Sequence, residues 1–379
     1  MAEIYLDNSA TTKVCMAAAR KVMELMTMTY GNPSSLHTMG FEAEQELTKA
    51  RTIVAEKLGV DNKEITFTSG GTEANNLAIF GAVAAKKRWG NKIVTTAIEH
   101  PSVLNCMKQL EHDGFEVVYL QPDANGNIVP EQVQRVVDET TILVSIMLVN
   151  NEVGSILPVE TAAKVIKEKN APALLHVDAV QAFGKMEVRP RRQGIHLLTV
   201  SGHKIYAPKG VGALYIARNV RMQPRMFGGG QEKGMRPGTE AVPLIGGLAE
   251  AVLQLSTVYD ESKRIQMLYE HCKKQLQALP GVVINSPENG LPYVLNFSTC
   301  SVRSETMLHF LAQKGIYVSS GSACTKGKQS HVLTAMGLER TRIQTAIRIS
   351  FSQETTQQDI DCLVQAVKEG LACIATGKL

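Results

Sequence analysis

The segment Val200-Ser-Gly-His-Lys204 is short and polar, ends in a lysine, and directly follows the apolar run 195–200. Upstream, a second apolar run, 173–177, is followed by Asp178. Pyridoxal phosphate requires from a protein a lysine that forms a Schiff base and a carboxylate that keeps its pyridine nitrogen protonated. The two segments therefore indicate a pyridoxal phosphate site at the ends of two predicted strands.

The bulk composition is that of a globular protein. The chain has 379 residues, of which 44% are hydrophobic and 20% charged, which excludes disorder and allows a large domain with a smaller one. The net charge of +4 is small. Its densest basic run, Arg189-Pro-Arg-Arg192, lacks aromatic neighbours, so we interpret it as a solvated loop, with docking of an acidic partner as the alternative. Direct nucleic-acid binding is not predicted.

The cysteines and the apolar tracts indicate the cellular compartment of the protein. The seven cysteines show no CxxC pattern and no Cys/His ligand spacing, which favours a reducing compartment and predicts no metal site. The first residues lack a basic segment followed by an apolar one, and the tract 142–149 is too short to cross a bilayer. We therefore expect a cytoplasmic protein with no membrane partner.

Short apolar runs alternate with helix-like stretches between residues 65 and 216, which predicts an α/β fold with a mostly parallel sheet. The seven predicted strands are 65–68, 93–97, 117–120, 142–149, 174–177, 197–200 and 213–216. Predicted helices include 41–58, 158–169 and a long stretch over 242–279. Further strands (282–284, 294–297, 347–351) and helices (305–314, 356–373) follow. We predict a large domain at 14–255 and a smaller α+β domain formed by 1–13 and 256–379.

Polar clusters follow five of the predicted strands, and the carboxyl ends of parallel strands share one crevice. The clusters are Ser69–Glu73, Glu99-His100, Asn150–Glu152, Asp178–Gln181 and Ser201–Lys204. Each alone has an ordinary explanation. The glycines before Thr72 can form a simple turn rather than a phosphate cradle, and Asp178 or His100 can be a cap or a structural residue. Together, they match one cofactor.

In that interpretation each cluster has a role. Lys204 forms the Schiff base, its amine activated by burial and a lowered pKa. Asp178 holds the pyridine nitrogen, and His100 stacks on the ring and moves protons. The phosphate and ring-oxygen contacts come from Gly71, Thr72, Ser201, His203, Gln181 and Asn151.

A second segment, Ser319-Ser-Gly-Ser-Ala-Cys-Thr-Lys-Gly-Lys-Gln329, carries Cys324 among small residues with two lysines close behind. Neighbouring cations favour the thiolate, which is the nucleophilic form of cysteine. A cysteine in such a loop can also be incidental. We predict a catalytic cysteine loop at about 319–331.

With these motifs in place, the chain resembles the cysteine desulfurases, a group within the aminotransferase class V family of fold-type I pyridoxal phosphate enzymes. The resemblance runs nearly end to end and includes residues 6–12, 31–37, 68–73, 99–100, 149–154, 176–181, 201–210, 236–239 and 320–324. The loop around Cys324 is similar to that of the group with a long catalytic loop. Segment 325–330 is basic and slightly shorter than in housekeeping iron–sulfur assembly members.

The resemblance implies the remaining assignments. Thr72, Ser201 and His203 would bind phosphate, with Thr239 of the partner subunit in a homodimer. Arg348 would clamp the substrate carboxylate, with Asn151 on the substrate side. L-cysteine would become L-alanine and leave its sulfur as a persulfide on Cys324. The acceptor stays open among a cluster scaffold, a tRNA thiolation enzyme and a dedicated partner, and the alternatives are a selenocysteine lyase, an aminotransferase or a non-catalytic adaptor.

Overall fold

The computed structural model describes residues 3–255, 258–320 and 329–374, with the side chains of 258–260 excepted. Twelve strands in these ranges are β1 Ile4–Tyr5, β2 Ile65–Thr68, β3 Lys92–Thr96, β4 Glu116–Leu120, β5 Thr141–Ser145, β6 Leu174–Asp178, β7 Leu197–Ser201, β8 Gly212–Ile216, β9 Val283–Ile284, β10 Val294–Ser298, β11 Ile316–Tyr317 and β12 Ala346–Ser350.

Twelve α-helices lie in the same ranges. They are α1 Met16–Thr27, α2 Thr38–Leu58, α3 Gly71–Lys86, α4 Pro101–His112, α5 Pro130–Val136, α6 Val159–Glu168, α7 Val242–Gln254, α8 Val258–Gln277, α9 Ser304–Gln313, α10 His331–Ala335, α11 Arg340–Gln344 and α12 Gln357–Cys373. Their ends carry the expected signals. Gly59 ends α2 at a φ of 68°, and Thr356 begins α12 with a capping box.

The large sheet has seven strands in the order β2-β8-β7-β6-β5-β3-β4. Only β8 among them runs antiparallel to its neighbours, β2 and β7. Strands β5, β6 and β7 are buried at every residue, as expected for a sheet with helices on both faces. The predicted fold class, α/β with a mostly parallel seven-stranded sheet, is confirmed.

A smaller sheet, β12-β10-β9, is antiparallel and lies late in the chain. The first residues join this part of the molecule, because β1 pairs with β11 in parallel and the Ser350 amide donates to the Leu6 carbonyl. These contacts agree with grouping the first residues with the late part of the chain. The domain boundaries themselves stay a prediction.

Two predicted elements have different bounds. The strand predicted over 142–149 ends at Ser145, although its next four residues remain buried. The helix predicted over 242–279 is divided into α7 and α8, because Leu255 takes an extended conformation with ψ 115°. The apolar run continues through residues 146–149, so the sequence does not mark the end of β5, and no glycine or proline marks the break at Leu255.

The basic run has partners within the chain. Arg191 pairs with Glu64 at 2.6 Å, Arg192 pairs with Glu187, and Arg189 donates to the Lys57 carbonyl. These contacts agree with the solvated-loop interpretation and leave less charge for an acidic partner. Within the described ranges no helix is long and apolar enough to cross a membrane.

Candidate active site

A cavity of about 480 Å³ opens at the carboxyl edge of the large sheet. It brings together ten of the predicted site residues, which are Gly71, Thr72, His100, Asn151, Asp178, Gln181, Ser201, His203, Lys204 and Arg348. Cavities of this size are typical of small-molecule sites. The prediction that the five strand-end clusters converge is therefore correct, while the role of each residue stays a prediction.

Lys204 lies in a short 3₁₀ turn, Gly202–Lys204, directly after β7. Its half-buried side chain donates through Nζ to the carbonyls of Ser9 and Ala10, each at 2.6 Å. The N-terminal segment thus forms the cavity wall against the lysine. A lowered pKa for Lys204 remains an expectation from the sequence.

Asp178 ends β6 with its side chain only 5% exposed. Its Oδ2 accepts from Asn75 Nδ2 at 2.8 Å, and its Oδ1 accepts from the Val180 amide at 3.0 Å. A buried carboxylate held by two donors at a cavity wall suits a cationic partner. This is the environment that a protonated ring nitrogen needs.

His100 caps the N-terminus of α4, and its Nδ1 accepts from the Ser102 amide at 3.1 Å. Burial lowers the pKa of His100, and the nearby Asp178 carboxylate opposes part of this effect. Burial also lowers the pKa of His203 to about 4, with the positive Lys204 as a further cause. Both imidazoles are therefore neutral at neutral pH.

The N-terminus of α3 opens on the cavity without a side-chain cap. Its N-cap, Gly70, has a φ of 150°, a conformation that side chains rarely adopt. A Cβ added at Gly71 would lie 3.0 Å from Val180 Cγ2 and 3.5 Å from Ser201 Cβ. The glycines thus keep backbone N–H groups accessible beside Thr72 and Ser201, which is how proteins bind phosphate.

Gln181 connects the cavity to a buried amine. Its Nε2 donates to the Ser9 carbonyl at 3.0 Å, and its Oε1 accepts from Lys185 Nζ at 2.9 Å. Burial lowers the pKa of Lys185 to about 7, and the nearby positive charges of Lys204 and Arg348 contribute. Because a backbone carbonyl only accepts, Ser9 fixes which end of the Gln181 amide is nitrogen, and the amide oxygen then faces Lys185.

Arg348 lies on β12 and is 2% exposed. It donates to the Asp7 carboxylate at 2.8 Å and to the Asn151 carbonyl at 3.0 Å. Its Nε is buried and, among the described residues, has no hydrogen-bond partner. The guanidinium is thus held in place at the cavity wall with donor capacity left over.

Cys324 lies outside the described residues, so its position is not part of the site geometry. The residues on either side of residues 321–328 are anchored near the cavity. Ser319 exchanges backbone hydrogen bonds with Arg348 at 3.1 and 2.6 Å, and Ser330 Oγ donates to the buried Glu152 at 2.5 Å. Ser319 and Ser330, which are described on either side of this segment, therefore contact residues of the cavity wall.

Thr239 is exposed and is not among the residues that line the cavity of its own chain. It follows a glycine-rich segment, 228–238, that two ion pairs connect to residues of α2 and α3. Arg236 binds Glu73 of α3 at 2.8 Å, and Glu232 binds Arg51 at 2.7 Å. Supply of Thr239 to the site of another subunit stays a prediction.

Several cavity residues were not identified from the sequence. They are Ser9, Asn75, Ser102 and His331. Asn75 follows Thr72 by three residues on one helix, so helical spacing could have placed it on the same face. His331 and Ser102 carry no such sequence signal.

The residues present fit pyridoxal phosphate. The uncapped helix N-terminus suits its phosphate, the buried Asp178 suits its ring nitrogen, and Lys204 suits its aldehyde. All three lie in one cavity at a single sheet edge. A mostly parallel seven-stranded sheet with this set of residues defines a fold-type I enzyme.

Comparisons with known proteins agree. The aminotransferase class-V family model matches residues 4–363, and the chain belongs to that family, whose members use pyridoxal phosphate. A "Cysteine desulfurase" from Nostoc sp. is 43% identical over 374 residues, covering 97% of this chain and 93% of that protein.

Two solved structures are similar over most of the chain. A "NifS-like protein" aligns with a TM-score of 0.93 and 39% identity, covering 98% of this chain and all of that one. A structure titled "SspA in complex with cysteine" aligns with a TM-score of 0.81 and 36% identity, covering 92% and 98%. The similarity therefore extends beyond fold to sequence.

Proposed function

We propose that this protein is a cysteine desulfurase that converts L-cysteine to L-alanine and keeps the sulfur as a persulfide on Cys324. The observation that carries the proposal is the meeting of Lys204, Asp178 and Arg348 in one cavity. Relatives of matching length bear the name of this activity. Sulfur transfer between two thiols needs no outside oxidant, because the substrate carbon is reduced as Cys324 is oxidised.

The residues that would hold pyridoxal phosphate are those already described. Thr72, Ser201 and His203 would bind the phosphate, with the glycines of the α3 N-terminus. Asp178 would keep the ring nitrogen protonated, and Gln181 would donate to the ring oxygen. When bound, the cofactor supplies an electron sink for the electron pair left at the substrate's α-carbon.

Arg348 would bind the substrate carboxylate, with Asn151 beside it. A guanidinium matches a carboxylate with two parallel hydrogen bonds, and a buried site strengthens both. The carbonyls of Ser9 and Ala10 hold Lys204 Nζ at the cavity wall, where it would take the substrate's α-proton. These contacts fix both ends of the amino acid relative to the reacting carbon.

Cys324 would then attack the substrate sulfur as a thiolate. The new S–S bond forms as the C–S bond breaks, and the carbon gains a proton to give alanine. Cys324 lies five residues after Ser319, which is bonded to Arg348. Five residues span at most about 17 Å when fully extended, which is an upper limit on the distance between the Cα atoms of Ser319 and Cys324.

A homodimer is part of the proposal. A row of exposed apolar side chains runs from α1 to the start of α2 and includes Met23, Met26, Tyr30 and Leu36. Phe227, 88% exposed, begins the segment that leads to Thr239. A second copy covering this face would bury these side chains and bring Thr239 of the partner subunit to the phosphate.

The rest of the proposal concerns location and partners. We infer a cytoplasmic enzyme with a sulfur-accepting protein partner, such as an iron–sulfur scaffold or a tRNA thiolation enzyme. The large domain at 14–255 would carry the cofactor. The smaller domain, formed by 1–13 and 256–379, would carry the cysteine loop.

Other reactions on the same fold are less favoured. An aminotransferase needs no thiol nucleophile, and a selenocysteine lyase would be shown by its substrate preference. A non-catalytic adaptor has no reason to keep a buried arginine, a buried aspartate and a lysine around one cavity. The relatives reported above support desulfuration over these alternatives.

The test is alanine and sulfide formation from L-cysteine, with pyridoxal phosphate and a reductant, in wild type, C324A and C362A. Cys362 is exposed on α12 and serves as the matched control. We expect C324A to lose activity by on the order of a thousandfold, as for removal of other nucleophiles, with the visible absorption of the bound cofactor intact. Full activity in C324A would rule out the persulfide step.

A further inference from the structure

The hydrogen bonds of His100 define where its proton lies. Nδ1 accepts from the Ser102 backbone amide at 3.1 Å, and it lies 2.8 Å from the Ser102 hydroxyl oxygen. A backbone amide can only donate, so Nδ1 must carry a lone pair. In a neutral imidazole the proton then lies on Nε2, which has no hydrogen-bond partner among the residues described.

Asn75 determines the direction of the Ser102 hydroxyl. Its amide nitrogen donates to Asp178 Oδ2 at 2.8 Å and to Ser102 Oγ at 2.9 Å. A carboxylate only accepts, so Asp178 fixes which end of the Asn75 amide is nitrogen. Ser102 Oγ receives a hydrogen from Asn75 and is left to give its own to His100 Nδ1. Asn75 is 1% exposed, so water does not compete for these bonds.

We propose that Asn75 and Ser102 are positioning residues that hold His100 in the tautomer with its proton on Nε2. Through their hydrogen bonds, the orientation of the imidazole ring depends on the position of the Asp178 carboxylate. What this tautomer does in the reaction rests on the proposed function. With Nδ1 occupied and Nε2 protonated, His100 presents a hydrogen-bond donor to the cavity and is not a base. Removal of the α-proton then falls to Lys204.

The charged groups around His100 are compatible with this state. Asp178 favours a protonated imidazole, whereas Lys204 and His331 disfavour it, and burial disfavours it most. His203 also lies close enough to interact with His100 electrostatically. A second proton on Nδ1 would in addition point at the Ser102 amide hydrogen. The neutral ring is therefore the form that its surroundings stabilise.

The experiment is nitrogen NMR of histidine-labelled protein, titrated with acid, without a need for turnover. In wild type we expect the Nε2–H tautomer for His100, assigned by its loss in H100N. His37 caps α2 in the same way, accepting from the Gly40 amide at 3.3 Å without a serine hydroxyl, and serves as an internal reference. S102A removes the hydrogen bond from the serine hydroxyl to His100 Nδ1. The equilibrium constant for protonation of the neutral His100 ring should therefore rise about 2- to 10-fold.

Further variants distinguish a positioning role of Asn75 and Ser102 from a general structural role. N75A should raise the same constant, and S102A/N75A should raise it no further than S102A alone, because Asn75 acts through Ser102. S102T keeps the hydroxyl and should restore the wild-type value. An Nδ1–H tautomer in wild type, additive effects of the two variants, or no rescue by S102T would each overturn the proposal. None of these readouts uses desulfurase activity, so failure of the proposed function would be seen separately in C324A.

Discussion

Arg348 and Asp7 form an ion pair at 2.8 Å across 341 residues of sequence. The arginine side chain is 3% exposed and the aspartate 20%, so the pair is largely shielded from solvent. Asp7 offsets the cost of burying the guanidinium and fixes its plane. The proposed substrate clamp is therefore oriented before any substrate arrives.

R348K should raise the KM for L-cysteine more than it lowers kcat. Lysine keeps the charge but loses the two-pronged geometry, which costs about 1.5–3 kcal/mol, or roughly 10- to 100-fold. Steady-state alanine formation measures both constants. R340K, at an exposed position, is the control and should behave as wild type. Equal KM values in R348K and wild type would remove Arg348 from the substrate site.

D178N should weaken cofactor binding and lower kcat by at least about 100-fold, because the amide keeps the size of the side chain but not its charge. Cofactor affinity can be followed by visible absorption during titration with pyridoxal phosphate. Asp113 is exposed at the end of α4, so D113N is a matched control. If D178N bound and reacted like wild type, the ring nitrogen would have another partner.

E99Q should change how stability depends on pH. Burial raises the pKa of Glu99 to about 8 from its ordinary 4.5, so the folded protein binds this proton more tightly than the unfolded chain. The resulting stability is complete below about pH 4.5 and is lost as pH rises to about 8, on the order of 5 kcal/mol as an upper bound. Glutamine cannot ionise, so E99Q should be more stable than wild type at pH 8.5.

Urea unfolding at pH 5.5 and 8.5 measures this effect. E288Q, at an exposed loop position, should leave the difference between the two pH values unchanged. A wild type and an E99Q variant with parallel pH profiles would mean that Glu99 is ionised in the folded state.

F227E should favour monomers, because it places a charge in the apolar face assigned to the second copy. Light scattering reports the mass, and titration with pyridoxal phosphate should show weaker binding, since Thr239 of the partner subunit would be lost from the site. Trp89 is an exposed aromatic three residues after the end of α3, and W89E is the control. A fully active monomer, in wild type or F227E, would contradict the dimer.

Much of the fold could be predicted from the sequence because the buried strands are short apolar runs with polar clusters at their ends. The failures have a physical cause. Residues 146–149 remain buried after β5 ends, so apolar character does not mark the end of the strand. At Leu255 no glycine or proline interrupts the helical pattern, and the local signal is limited to Ser256-Thr257 with acidic residues at 260 and 261, which is typical of a helix start.

The site was predictable where it lies in local motifs and not where it depends on tertiary contacts. Lys204, Asp178 and His100 each follow a strand, and the resemblance added Arg348. Asn75 contacts Asp178 across 103 residues of sequence, and Lys185 donates to Gln181 at the cavity wall. Such partners cannot be identified from the sequence, because they come together only when the chain folds.

The N-terminal wall of the cavity has a consequence for biosynthesis. Ser9 and Ala10 hold Lys204, and Asn8 donates to the Ser350 carbonyl at 2.9 Å, 342 residues away. At about 5–20 residues per second, a ribosome needs roughly 20–70 seconds to make that span. Residues 8–10 are thus synthesised long before their partner in β12. The cavity is completed only after β12 has been synthesised, so a ribosome-bound fragment lacking β12 would have no finished site.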